Sequence, residues 1–145
     1  MVCSFFGHST VPSSLKDEIK REVLNLIDNY GVNKFYVGNN GGFDFIVQVV
    51  LKEVKKLRSG IEYFIVLSRL NEKVLNEDNE NSVYPEGFEN FIPKFAIVKR
   101  NDWMLRSSRF VIAYSKYSFY RSYKWVEKAR RRGLIVTNLA EDKSI

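Results

Sequence analysis

The stretch KFYVGNNGGFDFIVQVVLKEV, Lys34 to Val54, decides the fold that the sequence predicts. It opens with a mainly apolar segment that predicts a short buried strand, and a helix with apolar residues at helical spacing is predicted to begin at Phe43–Asp44. Glycine lets a ligand approach the backbone closely, and the unpaired amides of a first helical turn favour negative charge. A strand, a glycine corner and a helix N-terminus therefore predict an anion site. The corner consists of Gly38, Asn39, Asn40, Gly41 and Gly42.

The same corner also fits a second interpretation, a tight strand-to-helix turn that holds no ligand. Asp44 bears on this choice, because a carboxylate in the first turn can itself occupy the positive end of the helix dipole. Asp44 is equally placed to face a ribose hydroxyl or a ring nitrogen. These alternatives stay open on the sequence alone.

Length and composition indicate one globular domain, residues 1–145. A chain of 145 residues and 17.0 kDa suffices for one core and is short for two. Hydrophobic residues make up 45% and charged residues 28%, as in soluble proteins. No apolar run approaches the ~18 residues of a membrane helix, and no N-terminal signal pattern is found, so we expect a cytoplasmic protein without a membrane partner.

The chain contains one cysteine, Cys3, and one histidine, His8. A single cysteine excludes an internal disulfide and a cysteine-based zinc cluster, and a single histidine argues against a metal site. Cys3 lies in a predicted buried strand, so an inert core thiol is expected.

The net charge of +6 is unevenly distributed. Residues 94–133 contain twelve lysines or arginines against two acids, whereas residues 72–89 contain six acids and one lysine. Such a basic region fits an anionic ligand, nucleic acid included. It is equally compatible with ordinary solvated helix faces.

Apolar segments and breaker residues predict alternating strands and helices. Strands are expected at 2–6, 34–37, 61–67, 95–98, 110–114 and 134–139. Helices are expected from a Ser13 or Ser14 cap to Gly31, from 43 to the region of Ser59, over 101–107 and over 118–132. Residues 68–93 are polar and acidic without a period, and they predict a long loop of the kind that forms lids or binding loops.

Strands that alternate with helices predict a three-layer α/β sandwich with five to six mainly parallel strands. In open sheets of this kind, ligands bind outside the carboxyl ends of the strands. The segments expected to converge there are 7–9, 38–44, Ser68 with Arg69, and 114–121.

Three segments carry a resemblance to a known family. CSFFGH at 3–8 resembles a C-x-F-x-G-H strand and corner, and FYVGNNGGFD at 35–44 resembles an F-x-x-G-x-x-x-G-F-D turn. KRNDWM at 99–104, the strand at 110–114 and the unit at 127–139 resemble an R-N-x-x-M segment, an apolar strand and a closing helix and strand. In this order they are similar to the SLOG superfamily, which includes the LOG nucleotide hydrolases, the DNA-processing protein A family and sensor domains of bacterial defence systems.

The resemblance implies a Rossmann-like nucleotide-binding domain that pairs with a second copy through its helices. It departs from the family at two places. Many relatives have a glycine pair after the strand that corresponds to 110–114, where this chain reads SFYRS at 118–122. The catalytic P-G-G-x-G-T-x-x-E stretch of the LOG hydrolases is also missing, so hydrolysis by that mechanism is not expected.

The replacement of the glycine pair suggests new ligand contacts. Arg121 is suited to bind phosphate as a bidentate fork. Tyr117, Phe119 or Tyr120 is suited to stack on a base. The alternative is that these side chains fill the pocket or form a subunit contact.

The remaining polar candidates have two interpretations each. His8 either contacts a ligand phosphate or ribose, or braces the first corner. Arg100 and Asn101 are expected to support the pocket floor or the sheet edge. No catalytic residue, metal ligand or cofactor is expected. The expected ligand-binding residues are Gly7, His8, Ser9, Gly38, Asn39, Asn40, Gly41, Gly42, Phe43, Asp44, Arg69, Tyr114, Tyr120 and Arg121.

The sequence favours a homo-oligomeric protein that binds a nucleotide or a nucleotide-derived signal, NAD-related or cyclic, as a sensor or a sequestering sponge. A role in phage defence or counter-defence would suit such a protein. The alternative is an N-glycosidic hydrolase of nucleoside monophosphates in which Asp44 replaces the missing glutamate. A weaker alternative is binding of single-stranded nucleic acid through the basic region and its aromatic residues.

Overall fold

Strands and helices alternate along the computed structural model, which describes residues 1–69, 81–90, 92–117 and 120–141. The strands are β1 (Val2–Gly7), β2 (Lys34–Val37), β3 (Glu62–Val66), β4 (Ser82–Val83), β5 (Phe110–Tyr114) and β6 (Ile135–Asn138). The helices are α1 (Leu15–Tyr30), α2 (Gly42–Leu57), α3 (Pro93–Arg106) and α4 (Tyr123–Arg131), with a 3₁₀ turn at Phe88–Asn90.

The six strands of the described ranges form one parallel sheet in the order β4-β3-β2-β1-β5-β6. The predicted parallel α/β fold is therefore confirmed. From β1 the chain adds strands on one side as far as β4, and it then crosses to place β5 on the other side of β1. The strand order reverses between β1 and β5, and such a reversal opens a crevice at the carboxyl ends of the strands.

The strand side chains alternate between two apolar clusters, one on each face of the sheet. On β1, Cys3 and Phe5 belong to the cluster that α1 and α2 cover. Phe6 belongs to the cluster that α3 and α4 cover. The predicted three layers are thus confirmed. Cys3 is fully buried, and burial raises the pKa of its thiol far above the ordinary value, as expected of a core cysteine.

The sequence predicted a serine cap at the start of α1 and a glycine at its end, and the structure confirms one of the two. Gly31 ends the helix with a φ of 72°, and its N–H donates to the carbonyls of Leu26 and Ile27. Ser14 stands at the N-cap position in helical conformation, and its hydroxyl makes no capping hydrogen bond. The glycine stop is therefore confirmed, and the predicted serine cap is wrong as a side-chain contact.

The strand predicted at 95–98 is wrong, because these residues lie within α3. A short apolar run fits a strand and a helix equally well. The helix buries Ala96, and its Met104 and Leu105 belong to the apolar cluster on this face of the sheet. The sixth strand is instead β4, whose two residues pair with Ile65 and Val66 of β3.

Two further segments differ from the prediction. The last helix begins at Tyr123, later than the predicted start at residue 118, and residues 118 and 119 lie outside the described ranges. Most of the predicted 68–93 loop also lies outside them, and its described part contains β4 and the 3₁₀ turn. Among the helices of the described ranges, none has the length and apolar character needed to cross a membrane.

Asp102 joins α3 to α4 through three cations. Its Oδ1 accepts from Lys128 Nζ and Arg132 Nη2 at 2.9 Å each, and its Oδ2 lies 3.1 Å from Arg106 Nε. Burial alone would raise the pKa of Asp102, but the hydrogen bonds from Lys128 and Arg132 bring it below its ordinary value of 3.8. The ionised carboxylate therefore stabilises the folded state above pH 3.8, and this contribution is lost as the pH falls through the lowered pKa.

We expect Asp102→Asn to lower the free energy of unfolding by about 1 kcal/mol at neutral pH, after allowance for solvent screening. The difference from the parent protein should shrink in acid and in high salt. Urea unfolding at several pH values measures this. A difference that stays constant down to acid pH would contradict an electrostatic role.

Candidate functional site

A cleft of about 830 Å³ opens at the carboxyl end of β1, where the strand order reverses. Its walls come from the corner after β1, the start of α2, the middle of α3 and the segment that leads into α4. This is the position in which open parallel sheets bind ligands.

The corner after β1 packs directly on the start of α2. The Gly42 N–H donates to the Ser9 carbonyl at 2.7 Å, and the Phe43 N–H donates to the His8 carbonyl at 3.3 Å. The sequence predicted that first-turn amides would bind a phosphate. In the structure these two amides are engaged within the protein, so they do not form the expected cradle.

Close backbone contact accounts for two glycines of the corner. A Cβ on Gly41 would lie 2.8 Å from the Ser9 Cα, and a Cβ on Gly42 would lie 2.6 Å from the Ser9 carbonyl oxygen. Both distances are shorter than real contacts allow. The segment that approaches these glycines is the protein's own backbone.

Gly42→Ala should therefore destabilise the protein by about 2 kcal/mol, because the added methyl group must push the Ser9 backbone away and weaken the hydrogen bond to it. Urea unfolding of protein freed of small molecules by gel filtration measures the change. If Gly42→Ala kept its stability and lost only ligand binding, the glycine would serve a ligand instead.

The other side of the corner is held by Gln48 of α2. Its Nε2 donates to the Gly38 carbonyl at 2.9 Å and to the Asn39 Oδ1 at 3.0 Å. Gly38 and Gln48 are buried. Gly38 and Asn39 are thus part of the support beneath the cleft.

A buried arginine lies beside the acid of the cleft. Arg100 of α3 is 4% exposed, and its Nε and Nη2 donate to the Asn101 Oδ1 at 3.2 and 2.9 Å. A Cβ on Gly38 would lie 2.8 Å from both the Arg100 Cζ and the Asp44 Oδ2, so the two groups share one side of this glycine. Asp44 also accepts the Asn40 N–H at 3.0 Å. The carboxylate is therefore held at the start of α2, next to a charge that needs a counter-ion.

His8 uses both ring nitrogens within the protein. Its Nε2 accepts the Lys116 N–H at 2.7 Å, and its Nδ1 lies 3.1 Å from the Ser122 Oγ. A backbone N–H can donate only to an unprotonated nitrogen, so the ring is neutral and carries its proton on Nδ1. This geometry agrees with the second interpretation of His8, a residue that braces the corner.

Burial lowers the pKa of His8 below its ordinary value of 6.5. The unfolded chain therefore binds this proton at a higher pH than the folded protein. His8 therefore makes its full contribution to the stability of the folded state above pH 6.5. This contribution decreases as the pH falls below 6.5.

The segment before α4 and the first turn of α4 supply aromatic and cationic side chains. The Tyr120 ring lies 4.2 Å from the His8 ring and stacks on Tyr117 at 5.5 Å between centroids. Tyr120, Arg121 and Lys124 are exposed and line the cleft. Phe119, the other candidate for stacking, lies outside the described residues.

The structure places eight of the expected ligand-binding residues on the cleft wall: Gly7, His8, Ser9, Asn40, Gly41, Asp44, Tyr120 and Arg121. Six others are not among its lining residues: Gly38, Asn39, Gly42, Phe43, Arg69 and Tyr114. Phe43 is a core residue at 1% exposure, and Arg69 is exposed after β3. The ring of Tyr114 meets the His8 ring edge-on.

The sequence prediction missed the apolar part of the wall that α3 contributes, Ile97 and Val98. Arg100 and Asn101, which were expected at the pocket floor or the sheet edge, line the cleft beside them. Ile97 and Val98 were missed because 95–98 had been assigned to a strand. Pro93 could have indicated a helix start, since proline is common at the first helical position. Lys124 and Trp125 were missed because the last helix was started too early. Thr10 and Ser122 complete the polar lining.

The chemistry of the cleft suits binding. Asp44 is the one carboxylate among its described lining residues, beside three cations, Arg100, Arg121 and Lys124. Paired carboxylates, which glycoside cleavage uses, are not found in this lining. Within the described ranges no group of three or more potential ligand side chains could hold a metal ion.

No protein family model matches this chain, and no curated protein gives a significant match. Among solved structures, the X-ray structure of DNA processing protein A (DprA) from Streptococcus pneumoniae is similar, with a TM-score of 0.69 and 15% sequence identity. The similarity covers 98% of this chain and 51% of that chain, so this chain spans about half the length of that protein. The Rossmann-like fold is confirmed, whereas membership of the SLOG superfamily stays a prediction.

Proposed function

We propose that this chain binds a nucleotide or a nucleotide-derived signalling molecule in the cleft, and that it senses or sequesters this ligand. One observation carries the proposal. At the reversal of strand order, a cleft of about 830 Å³ combines an exposed tyrosine ring with two exposed cations, Arg121 and Lys124. Its volume falls within the range of roughly 300–1,000 Å³ that is usual for small-molecule sites.

The wall residues suggest how such a ligand would lie. The exposed Tyr120 ring would stack on a base, and Ile97 and Val98 of α3 form an apolar surface elsewhere in the cleft. Arg121 and Lys124 would take the phosphate, since the α2 amides are engaged with the corner after β1. The structurally similar protein is by its name a DNA-processing protein, which agrees with a ligand of nucleotide type.

Hydrolysis is the less supported alternative. Asp44 is the single lining acid of the described cleft, and it already accepts the Asn40 amide. An inverting or retaining mechanism of the usual kind requires a second carboxylate.

Native mass spectrometry of protein purified from cells tests the proposal, because a tightly bound nucleotide would co-purify and reveal its mass. Titration calorimetry with AMP, NAD⁺, ADP-ribose and cyclic dinucleotides follows. Incubation of the bound compound, with chromatographic analysis, then separates binding from turnover. Absence of any co-purifying compound together with no binding in this panel would contradict the proposal.

Single-stranded nucleic acid is a second candidate ligand, because the stacked pair Tyr117 and Tyr120 is exposed next to Lys116, Arg121 and Lys124. Fluorescence anisotropy with a labelled oligonucleotide distinguishes it, since such binding weakens steeply with salt. The homodimer, the cytoplasmic location and the role in phage defence or counter-defence expected from the sequence stay predictions.

A further inference from the structure

The cleft wall that carries Tyr120 and Arg121 is tied to the sheet by a chain of polar side chains. Asn138 of β6 accepts the Ser115 N–H at 3.1 Å and donates to the Ser115 carbonyl at 3.0 Å. The Ser115 hydroxyl lies 2.9 Å from the Ser122 hydroxyl, which in turn lies 3.1 Å from the His8 Nδ1. Both ends of the wall, 115–117 and 120–122, are thus joined through this chain.

His8 supplies a further tie, since its Nε2 accepts the Lys116 N–H at 2.7 Å. The two anchors differ in chemistry. The Asn138 amide does not titrate, whereas an imidazole takes up a proton near neutral pH. A proton on Nε2 would place two donors against each other and break the hydrogen bond to Lys116.

We infer that His8 is a positioning residue: in its neutral, Nδ1-protonated form it holds the wall that carries Tyr120 and Arg121, and when Nε2 becomes protonated it releases the Lys116 end of that wall. The inference concerns the wall itself and holds whichever ligand the cleft takes. The change takes place beside the Tyr120 ring, which lies 4.2 Å from the His8 ring.

The groups that surround His8 agree with a neutral ring. The titratable and charged residues that contact it are Tyr114 of β5, Lys116 after β5 and Tyr120 before α4. Those that share the cleft lining with it are Arg121 and Lys124 before and within α4, Arg100 of α3 and Asp44 of α2. Cations outnumber the single acid Asp44, and Asp44 is engaged with the Asn40 amide. Burial is the main cause of the lowered His8 pKa.

The first test is the tautomer. His8 is the single histidine of the chain, so the imidazole signals of ¹⁵N-labelled protein need no assignment by mutation. At about pH 8, Nδ1 should be protonated and Nε2 should be an unprotonated acceptor. Protonation on Nε2, or rapid exchange between the two tautomers, would overturn the inference.

The second test is hydrogen exchange of the Lys116 amide, corrected for intrinsic exchange, at about pH 8 and at an acid pH where the ¹⁵N signals show that His8 is protonated. Protection should fall about tenfold at the acid end, which corresponds to the loss of one hydrogen bond. The Ile112 amide, within β5, is the internal control for global opening. Equal protection of Lys116 at both pH values would overturn the inference.

Two variants distinguish a pH-dependent role of His8 from a role in which it only holds the wall in place. His8→Gln retains an acceptor without a titrating ring, so the pH step in Lys116 protection should disappear. Asn138→Ala should lower the protection of Ser115 at every pH while the His8 step remains. Because these readouts need no ligand, their failure would not bear on the proposed function, and a failed ligand search would not bear on them.

Discussion

Gly7→Ala is expected to lower the free energy of unfolding by about 3 kcal/mol, the largest stability effect that we predict for a single methyl group. A Cβ at this position would lie 2.3 Å from the Phe43 Cγ, 2.5 Å from Cδ2 and 2.8 Å from Cβ. Phe43 is 1% exposed within the core cluster under α1 and α2, so its ring has no free space into which it can turn. The start of α2 would have to move away from β1.

Urea unfolding followed by far-ultraviolet circular dichroism measures this loss. Gly60→Ala is the matched control, because Gly60 has a φ of +76° and nothing within 4 Å of an added Cβ. That control should cost only the backbone strain of the left-handed conformation, roughly 1–2 kcal/mol. A loss for Gly7→Ala no greater than the control would show that the start of α2 yields easily.

A double-mutant cycle tests whether Phe43 is the side chain that a Cβ at Gly7 would overlap. Phe43→Leu alone should destabilise the core by leaving a cavity. Combined with Gly7→Ala, the smaller side chain relieves part of the overlap, so the double variant should be more stable than the sum of the single effects predicts. Simple additivity would place the clash elsewhere.

Arg121→Ala is expected to weaken binding of the nucleotide ligand about ten- to a hundredfold, which equals roughly 1.5–3 kcal/mol for a charge-assisted hydrogen bond. Arg121 is exposed on the cleft wall, and it forms no salt bridge with the other residues of the described ranges. Its folding role is therefore small, and the stability of the apo protein should change by less than about 0.5 kcal/mol. Calorimetry with the co-purifying compound measures the affinity.

Arg131→Ala is the control for charge. Arg131 is exposed in the last turn of α4, away from the cleft lining, so this variant removes the same charge at the far end of the helix. Its effect on affinity should be small and should vanish in high salt. Equal losses for both variants would mean that the ligand responds to the overall basic field, as nucleic acid does.

The elements that were predicted correctly are those whose structure depends on residues close together in the sequence. Residues 34–37, 61–67 and 110–114 were recognised as strands because apolar residues there face both helix layers. Gly31 was recognised as a helix end because its left-handed conformation is a local preference of glycine. Each of these signals is contained within a few neighbouring residues.

The failures involve interactions between distant segments. β4 is two residues long, and only its pairing with β3 makes it a strand. The start of α3 was mistaken for a strand because an apolar run at 95–98 does not reveal which face will be covered. The apolar part of the cleft wall, Ile97 and Val98 of α3, could not be found until that helix was placed.

The sequence was sufficient to predict the alternation of strands and helices, the glycine corner between β2 and α2, and the basic character of residues 94–133. These properties depend on backbone preference, on the spacing of apolar residues and on charge, and all three can be recognised in a short stretch of sequence. The tertiary structure alone decided what each corner contacts. It placed Phe43 against Gly7 and the Ser9 backbone against Gly41 and Gly42, because strand ends far apart in sequence meet at one edge of a parallel sheet. The same convergence directed the α2 amides to carbonyls of the protein and left Arg121 and Lys124 as the exposed cations of the cleft.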